Sequence, residues 1–424
     1  MLIALVGFAF AAAPPAWAAR PVTVGYTSTS ALRGLDVVSR LAPLHAAEVL
    51  TGNPAALRLH PGIRWVEAPV ARRREGTLSA AAADVTAATP EWQYAADGED
   101  QVPAAVEQAA SGITIGVVDT GADLSAPDIA AKSPVTYNVI TGSSAVEDQD
   151  GHGTFVASLA AGATEAGAGV SGFGGDAQLM IVQANRTATT FTDVDEAAGI
   201  VWAVDHGARI INLSIGGCTT SQVESDAVNY AISHGVLIVA AAGNSGNAGD
   251  APSYPAALLG PNGLAVAAST PTGARAPFST TGSYVSLAAP GVGVLGATTP
   301  TASTTAFPRA ALPGIAGTYA YGTGTSYSAP QVAGAAALVW AANPSLTAQG
   351  VVEVLEQTAR GSGVWNSQLG WGVLDVAAAV AQASGATPPP PTVPAAAPPV
   401  APKAAAQKKR PHVRRIWLQT SVVP

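Results

Sequence analysis

The chain has 424 residues, 48% hydrophobic and 11% charged, which leaves room for one large domain or two ordinary ones and excludes a disordered or coiled-coil class. A single cysteine, Cys218, excludes an intramolecular disulfide without arguing against a place outside the cell. The net charge of −8 is unevenly spread: residues 20–90 hold eight Arg against five acids, residues 91–385 six Lys/Arg against 23 acids, and residues 386–424 six Lys/Arg and no acid. The acidic middle argues against nucleic-acid binding there, because phosphate contact needs a basic face, and leaves only the tail to hold a polyanion.

Residues 1–19 read MLIALVGFAFAAAPPAWAA: an apolar stretch, then Pro14-Pro15, then an A-x-A site at Ala16–Ala18. This is the pattern of a signal peptide, too short and wrongly flanked for a membrane span. Residues 20–76 alternate strand-like and amphipathic runs and close on Arg72-Arg73-Arg74-Glu75. The bland reading is a small accessory domain. Its place between a leader and a large core, and the basic, exposed-looking run that ends it, lead us to expect a cleavable α+β prosegment instead. Residues 80–110 are Ala-rich and polar, and are expected to wrap the core that follows.

From Ile113 to about Ala383, apolar runs (ITIGVVD, AQLMIVQA, RIINLSI, VLIVAAAGN, GLAVAAS) alternate with helical ones (FVASLAAGA, VDEAAGIVWAVDHG, VESDAVNYAISHG, QVAGAAALVWAAN). Near-continuous apolar strands separated by helices predict a parallel sheet covered on both faces, an α/β fold of three α/β/α layers. The core is bounded at 77–383. A Pro/Ala-rich linker over 384–402 and a basic tail over 403–424 follow, with no further stretch apolar enough for a membrane anchor.

Four positions carry candidate chemistry. Asp119 ends the apolar run ITIGVVD, as a buried strand would deliver a carboxylate to the sheet edge where α/β folds place their sites. A turn Asp reads the same way, although a buried carboxylate needs a partner. His152, in DGHGT, stands between two glycines at a helix start. His206 and His234 stand in His-Gly at helix ends, where a capping role is expected. Asn244 follows the strand VLIVAAAG, where its amide could donate to an oxyanion or serve a simple Asn-Ser-Gly loop. Ser326, in YGTGTSYSAP, opens a helix after a Gly-rich turn, with Pro330 expected in the first turn. An N-cap is the ordinary role for such a serine, and Ser328 is a rival.

Taken together, in the order Asp, His, Asn, Ser and within VVDTG, DGHGT, NLSIGG, AAAGN, SLAAPG and GTSYSAP, these positions resemble the subtilisin-like serine proteases (subtilases, peptidase family S8) across about 113–383. The resemblance implies a subtilisin-like fold and a secreted endopeptidase made as a self-processed zymogen. It also implies a catalytic triad of Asp119, His152 and Ser326, with Asn244 in the oxyanion hole, and it selects Ser326 over Ser328. Ser214, Ile215 and Gly216 would be the edge that pairs with the substrate backbone. Ala241, Ala242 and Gly243 would wall the first specificity pocket, which takes a neutral side chain. The stretch QANRTATTFT would form the opposite edge, without its usual glycines.

No cofactor and no catalytic metal is implied. A structural calcium is left open, but TEAGAGVSGFGG lacks its usual loop pattern. The expected partners are protein or peptide substrates and the chain's own prosegment, with the chain a monomer and its basic tail against an anionic envelope. The rival readings are an envelope-associated processing protease resembling the mycosins, and an inactive protease-fold binding module. An acid-acting serine-carboxyl peptidase is disfavoured because that class has Glu where His152 stands.

Overall fold

The computed structural model describes residues 19–76, 91–163, 169–312 and 315–388. The leader, most of the linker and the tail lie outside these. The N-terminal segment forms β1 (Arg20–Tyr26), β2 (Asp36–Leu41), β3 (Ala46–Thr51), α1 (Pro54–Arg58) and β4 (Ile63–Glu67). The strands make an antiparallel sheet in the order β2-β3-β1-β4. Its helical share is smaller than the amphipathic runs suggest, since α1 is joined only by short 3-10 turns among the described residues. Alternation along the strands gives each face its own partner. Val22, Val24, Val49 and Val66 close a small core with Leu32 and Leu57. Leu41, Leu44 and Ala46 instead pack into the large domain. The chain then continues as β5 (Ala71–Arg74).

The large domain opens with α2 (Trp92–Asp97) and α3 (Ala104–Ala109), and α2 is tied to the core by Trp92 and Gln93, which donate to the Gly293 and Leu295 carbonyls. There follow β6 (Thr114–Asp119), α4 (Pro127–Ala130), β7 (Val135–Asn138), α5 (His152–Ala161), β8 (Gln178–Gln183), β9 (Thr190–Thr192) and α6 (Asp193–Asp205). Next come β10 (Ile210–Leu213), β11 (Ile215–Gly216), α7 (Gln222–Ser233), β12 (Leu237–Ala241), β13 (Gly263–Ser269) and β14 (Leu287–Pro290). The chain closes through β15 (Val294–Ala297), β16 (Tyr319–Gly322), α8 (Thr325–Ala342), α9 (Ala348–Thr358) and α10 (Val376–Ser384).

Seven strands form one sheet in the order β14-β13-β12-β10-β6-β8-β7, every neighbouring pair parallel. Leu179 and Ile181 of β8, and Leu237 and Val239 of β12, face the layer that holds Phe155 of α5 and most of α8. Met180, Val182, Ile238 and Ala240 face Ile200 of α6 and Val228 of α7. This is the three-layer α/β/α sandwich that the alternation of apolar strands and helices predicts. Helix α8 is apolar all round because it is buried from Thr325 to Trp340. Strand β6 comes first in the sheet, and the chain adds β8 on one side and β10 on the other. The crevice at their C-terminal ends is therefore a topological switch point.

Candidate active site

Each expected side chain stands at a strand end or helix start around this crevice. Asp119 is the last residue of β6, and His152 the first of α5. His152 Nδ1 and Asp119 Oδ1 are 2.7 Å apart, both side chains fully buried. The glycine after His152 is required by close approach, since a Cβ on Gly153 would lie 2.2 Å from the Gly121 carbonyl oxygen. Asp148 holds this corner in place by accepting from the Gly151 and Thr154 N–H groups and from the Thr120 and Thr154 hydroxyls, at 2.6–2.9 Å. Burial raises the Asp148 pKa, against the pull of those four donors. Sequence reasoning missed Asp148. The DQD ahead of His152 was the available signal.

Ser326 is the second residue of α8. Its hydroxyl donates 2.8 Å to the Ser214 carbonyl, and His152 Nε2 has no hydrogen-bond partner among the described residues. Rotation about the Ser326 Cα–Cβ bond is needed to bring hydroxyl and imidazole together. Pro330 lies in the second turn of α8, not the first. With no N–H it leaves the Ser326 carbonyl free, and the Ser214 hydroxyl donates to that oxygen at 2.8 Å. Ser328 is buried on the other side, donating to the Ala289 and Pro290 carbonyls. His206 and His234 cap α6 and α7, each with Nδ1 near the carbonyl four residues back, as expected.

The crevice is filled by the chain's own N-terminal segment. Strand β5 inserts antiparallel between β11 and β9, pairing Arg74 with Ile215, Arg73 with Gly216, and Arg72 with Phe191. The Glu75 N–H donates 3.0 Å to the Ser214 carbonyl. The Glu75 carbonyl oxygen accepts from the Ser326 N–H at 2.9 Å and from Asn244 Nδ2 at 2.5 Å. Asn244 is oriented by Thr325, whose N–H and hydroxyl both donate to its Oδ1. Gly76 follows under the imidazole, where a Cβ would lie 3.0 Å from His152 Nε2. The Glu75–Gly76 bond therefore lies across the site, its carbonyl held by two donors.

The Glu75 side chain enters a pocket next to Gly216, where Ser253 donates to it at 3.2 Å. Burial raises its pKa and so shifts it towards the neutral acid relative to a free glutamate, against the Ser253 and Asn244 donors. Ala241, Ala242 and Gly243 are buried at the end of β12. A Cβ on Gly243 would lie 2.8 Å from the Ser253 Cβ, so this run backs the residue that contacts Glu75.

The expectation of an exposed arginine run fails at Arg72, which is fully buried. Its Nε and Nη2 both lie 2.7 Å from Glu224 Oε1, and Nε lies 3.3 Å from Glu196 Oε2. Burial and then the neighbouring Glu224 carboxylate raise the Glu196 pKa well above the usual glutamate value, against the pull of Arg72. Arg74 reaches Asp150 at 3.1 Å, nearer the surface, and Arg73 is exposed. Arginines at alternate positions thus meet the domain while the one between them faces out.

A buried carboxylate–imidazole pair, a serine at a helix start and two donors on one carbonyl thus stand together at the crevice. The model of the subtilase family matches residues 110–372, and the chain belongs to that family as a serine endopeptidase. It is 37% identical over 251 residues to thermitase from Thermoactinomyces vulgaris, covering 59% of this chain and 81% of that one. It is 33% identical over 326 residues to an alkaline protease from Alkalihalobacillus alcalophilus, covering 76% of each. Its fold is similar to that of fervidolysin from Fervidobacterium pennivorans, a keratinolytic enzyme related to subtilisin. The TM-score is 0.72 at 27% identity, over 86% of this chain and 61% of fervidolysin.

Proposed function

We propose that the chain is an exported zymogen that cuts itself between Glu75 and Gly76, and that Asp119, His152 and Ser326 form the triad that makes this and later cuts. The observation that carries the reading is the Glu75 carbonyl, which accepts from Ser326 N–H and Asn244 while its strand runs between β11 and β9.

In this mechanism the Ser326 hydroxyl turns from Ser214 to His152 Nε2, which takes its proton as Oγ attacks the carbonyl carbon. Asp119 holds the imidazole tautomer and balances the imidazolium. The oxygen gains negative charge between Asn244 and the Ser326 N–H, at the N-terminal end of α8. His152 then gives its proton to the departing Gly76 nitrogen, and water, activated by the same imidazole, releases the Glu75 carboxyl from Ser326. In a later substrate, Ser214, Ile215 and Gly216 bind the backbone, and the wall of Ala241, Ala242 and Gly243 bounds the pocket for a neutral side chain. Export rests on the 1–19 pattern. The segment lies across the crevice that a substrate needs, which keeps the enzyme silent until cleavage.

The test is hydrolysis of casein by purified, folded variants. Ser326→Ala abolishes it and accumulates uncut precursor, whereas Ser328→Ala keeps most of it. Comparable activity in Ser326→Ala overturns the assignment.

A further inference from the structure

The pocket around Arg72 is built from the large domain and outlasts the segment that fills it here. Glu196 stands in the first turn of α6 and Glu224 in the first turn of α7, both fully buried. Asp193, also fully buried, adds its field to theirs. The wall opposite is glycine: a Cβ on Gly217 would lie 3.1 Å from Arg72 Nη1 and 2.9 Å from the Ala71 carbonyl oxygen. A guanidinium therefore has both its counter-charge and its space, and an uncharged side chain would leave two acidic groups buried without a cation.

We propose that the mature enzyme selects peptides with arginine at the fourth residue before the cleaved bond, the guanidinium seating between Glu196 and Glu224. The proposal rests on the reading that β5 and Glu75 lie along the substrate path, which makes Arg72 the fourth residue before Glu75–Gly76. Breaking a buried pair strands the remaining charge, a cost that corresponds to on the order of a hundredfold in rate. The second arginine, Arg74, meets Asp150 close to solvent, so its contribution is limited to about a few-fold. Arg73 is exposed and contributes nothing specific. This ranking separates a pocket from mere attraction between a basic peptide and an acidic domain.

The experiment measures kcat/KM of the mature wild-type enzyme on quenched octapeptides based on Val-Ala-Arg-Arg-Arg-Glu-Gly-Thr, residues 70–77. In three further peptides, citrulline, a neutral isostere of arginine, replaces one arginine at a time. Citrulline for Arg72 lowers kcat/KM on the order of a hundredfold, and for Arg73 changes it little. In Glu224→Gln enzyme the loss at Arg72 shrinks to within about tenfold, while a peptide with leucine there is cut no worse than by wild type. Equal losses at the Arg72 and Arg73 positions overturn the proposal and leave the protease assignment standing. An enzyme that cuts neither these peptides nor casein overturns the underlying reading instead.

Discussion

Asn244 joins two parts of the site. Its Oδ1 accepts from Thr325, which fixes the amide, and its Nδ2 donates to the Glu75 carbonyl. Asn244→Ala should lower kcat by about 10²–10³ with little change in KM, the range already established for losing this kind of donor in subtilisin. Steady-state kinetics that stay within a few-fold of wild type would make Asn244 a loop residue. At Glu75 the charge state carries the prediction. Its pKa is raised in the folded precursor, mainly by burial, so the folded state binds the proton more tightly than the unfolded one. Stability from this group is complete below the ordinary glutamate range and is lost as pH rises through the raised value. In a Ser326→Ala background, Glu75→Gln should therefore stabilise the precursor more at pH 8 than at pH 4. Urea unfolding at both pH values checks this, and a gain larger at pH 4 would show that burial does not govern the group.

Helix α5 shows how an element's end serves the chemistry. Asp148 gathers four donors at its N-terminus and so sets where His152 stands. Asp148→Ala should cost about 3 kcal/mol in urea unfolding of the Ser326→Ala protein, because buried donors lose a charged acceptor. A loss under about 1 kcal/mol would mean that the corner holds without it. The sheet, the four main helices and the positions Asp119, His152, Asn244 and Ser326 were legible in the sequence. Each sits in a local pattern: an apolar strand with a polar end, or a glycine turn before a helix. Arg72 was not, because a run of arginines reads as solvated unless its partners are known. Those partners, Glu196 and Glu224, lie more than a hundred residues away on two helices. Pro330 was misplaced by a turn because nothing local reveals that the Ser214 hydroxyl serves the carbonyl it leaves free.

At the scale of the molecule, two domains of opposite charge meet along one surface. Residues 20–76 carry eight arginines against four acids, and the strongly acidic large domain receives Arg72 and Arg74, while its own Arg186 meets Glu48 of the segment. Residues 20–75, supplied separately, should bind Ser326→Ala protein produced without them about tenfold more slowly in 0.5 M salt than at low ionic strength. A salt-independent rate would assign the docking to Leu41, Leu44 and their apolar neighbours alone. The central claim is that the chain cuts itself at the bond now lying across the site. Its most direct test is the intact mass of the first fragment released by purified wild-type precursor, beside Ser326→Ala in a protease-free host. The account predicts a fragment ending at Glu75 and a core beginning at Gly76 in wild type, with no cleavage in Ser326→Ala. A first fragment ending elsewhere, or the same cut in Ser326→Ala, would contradict it.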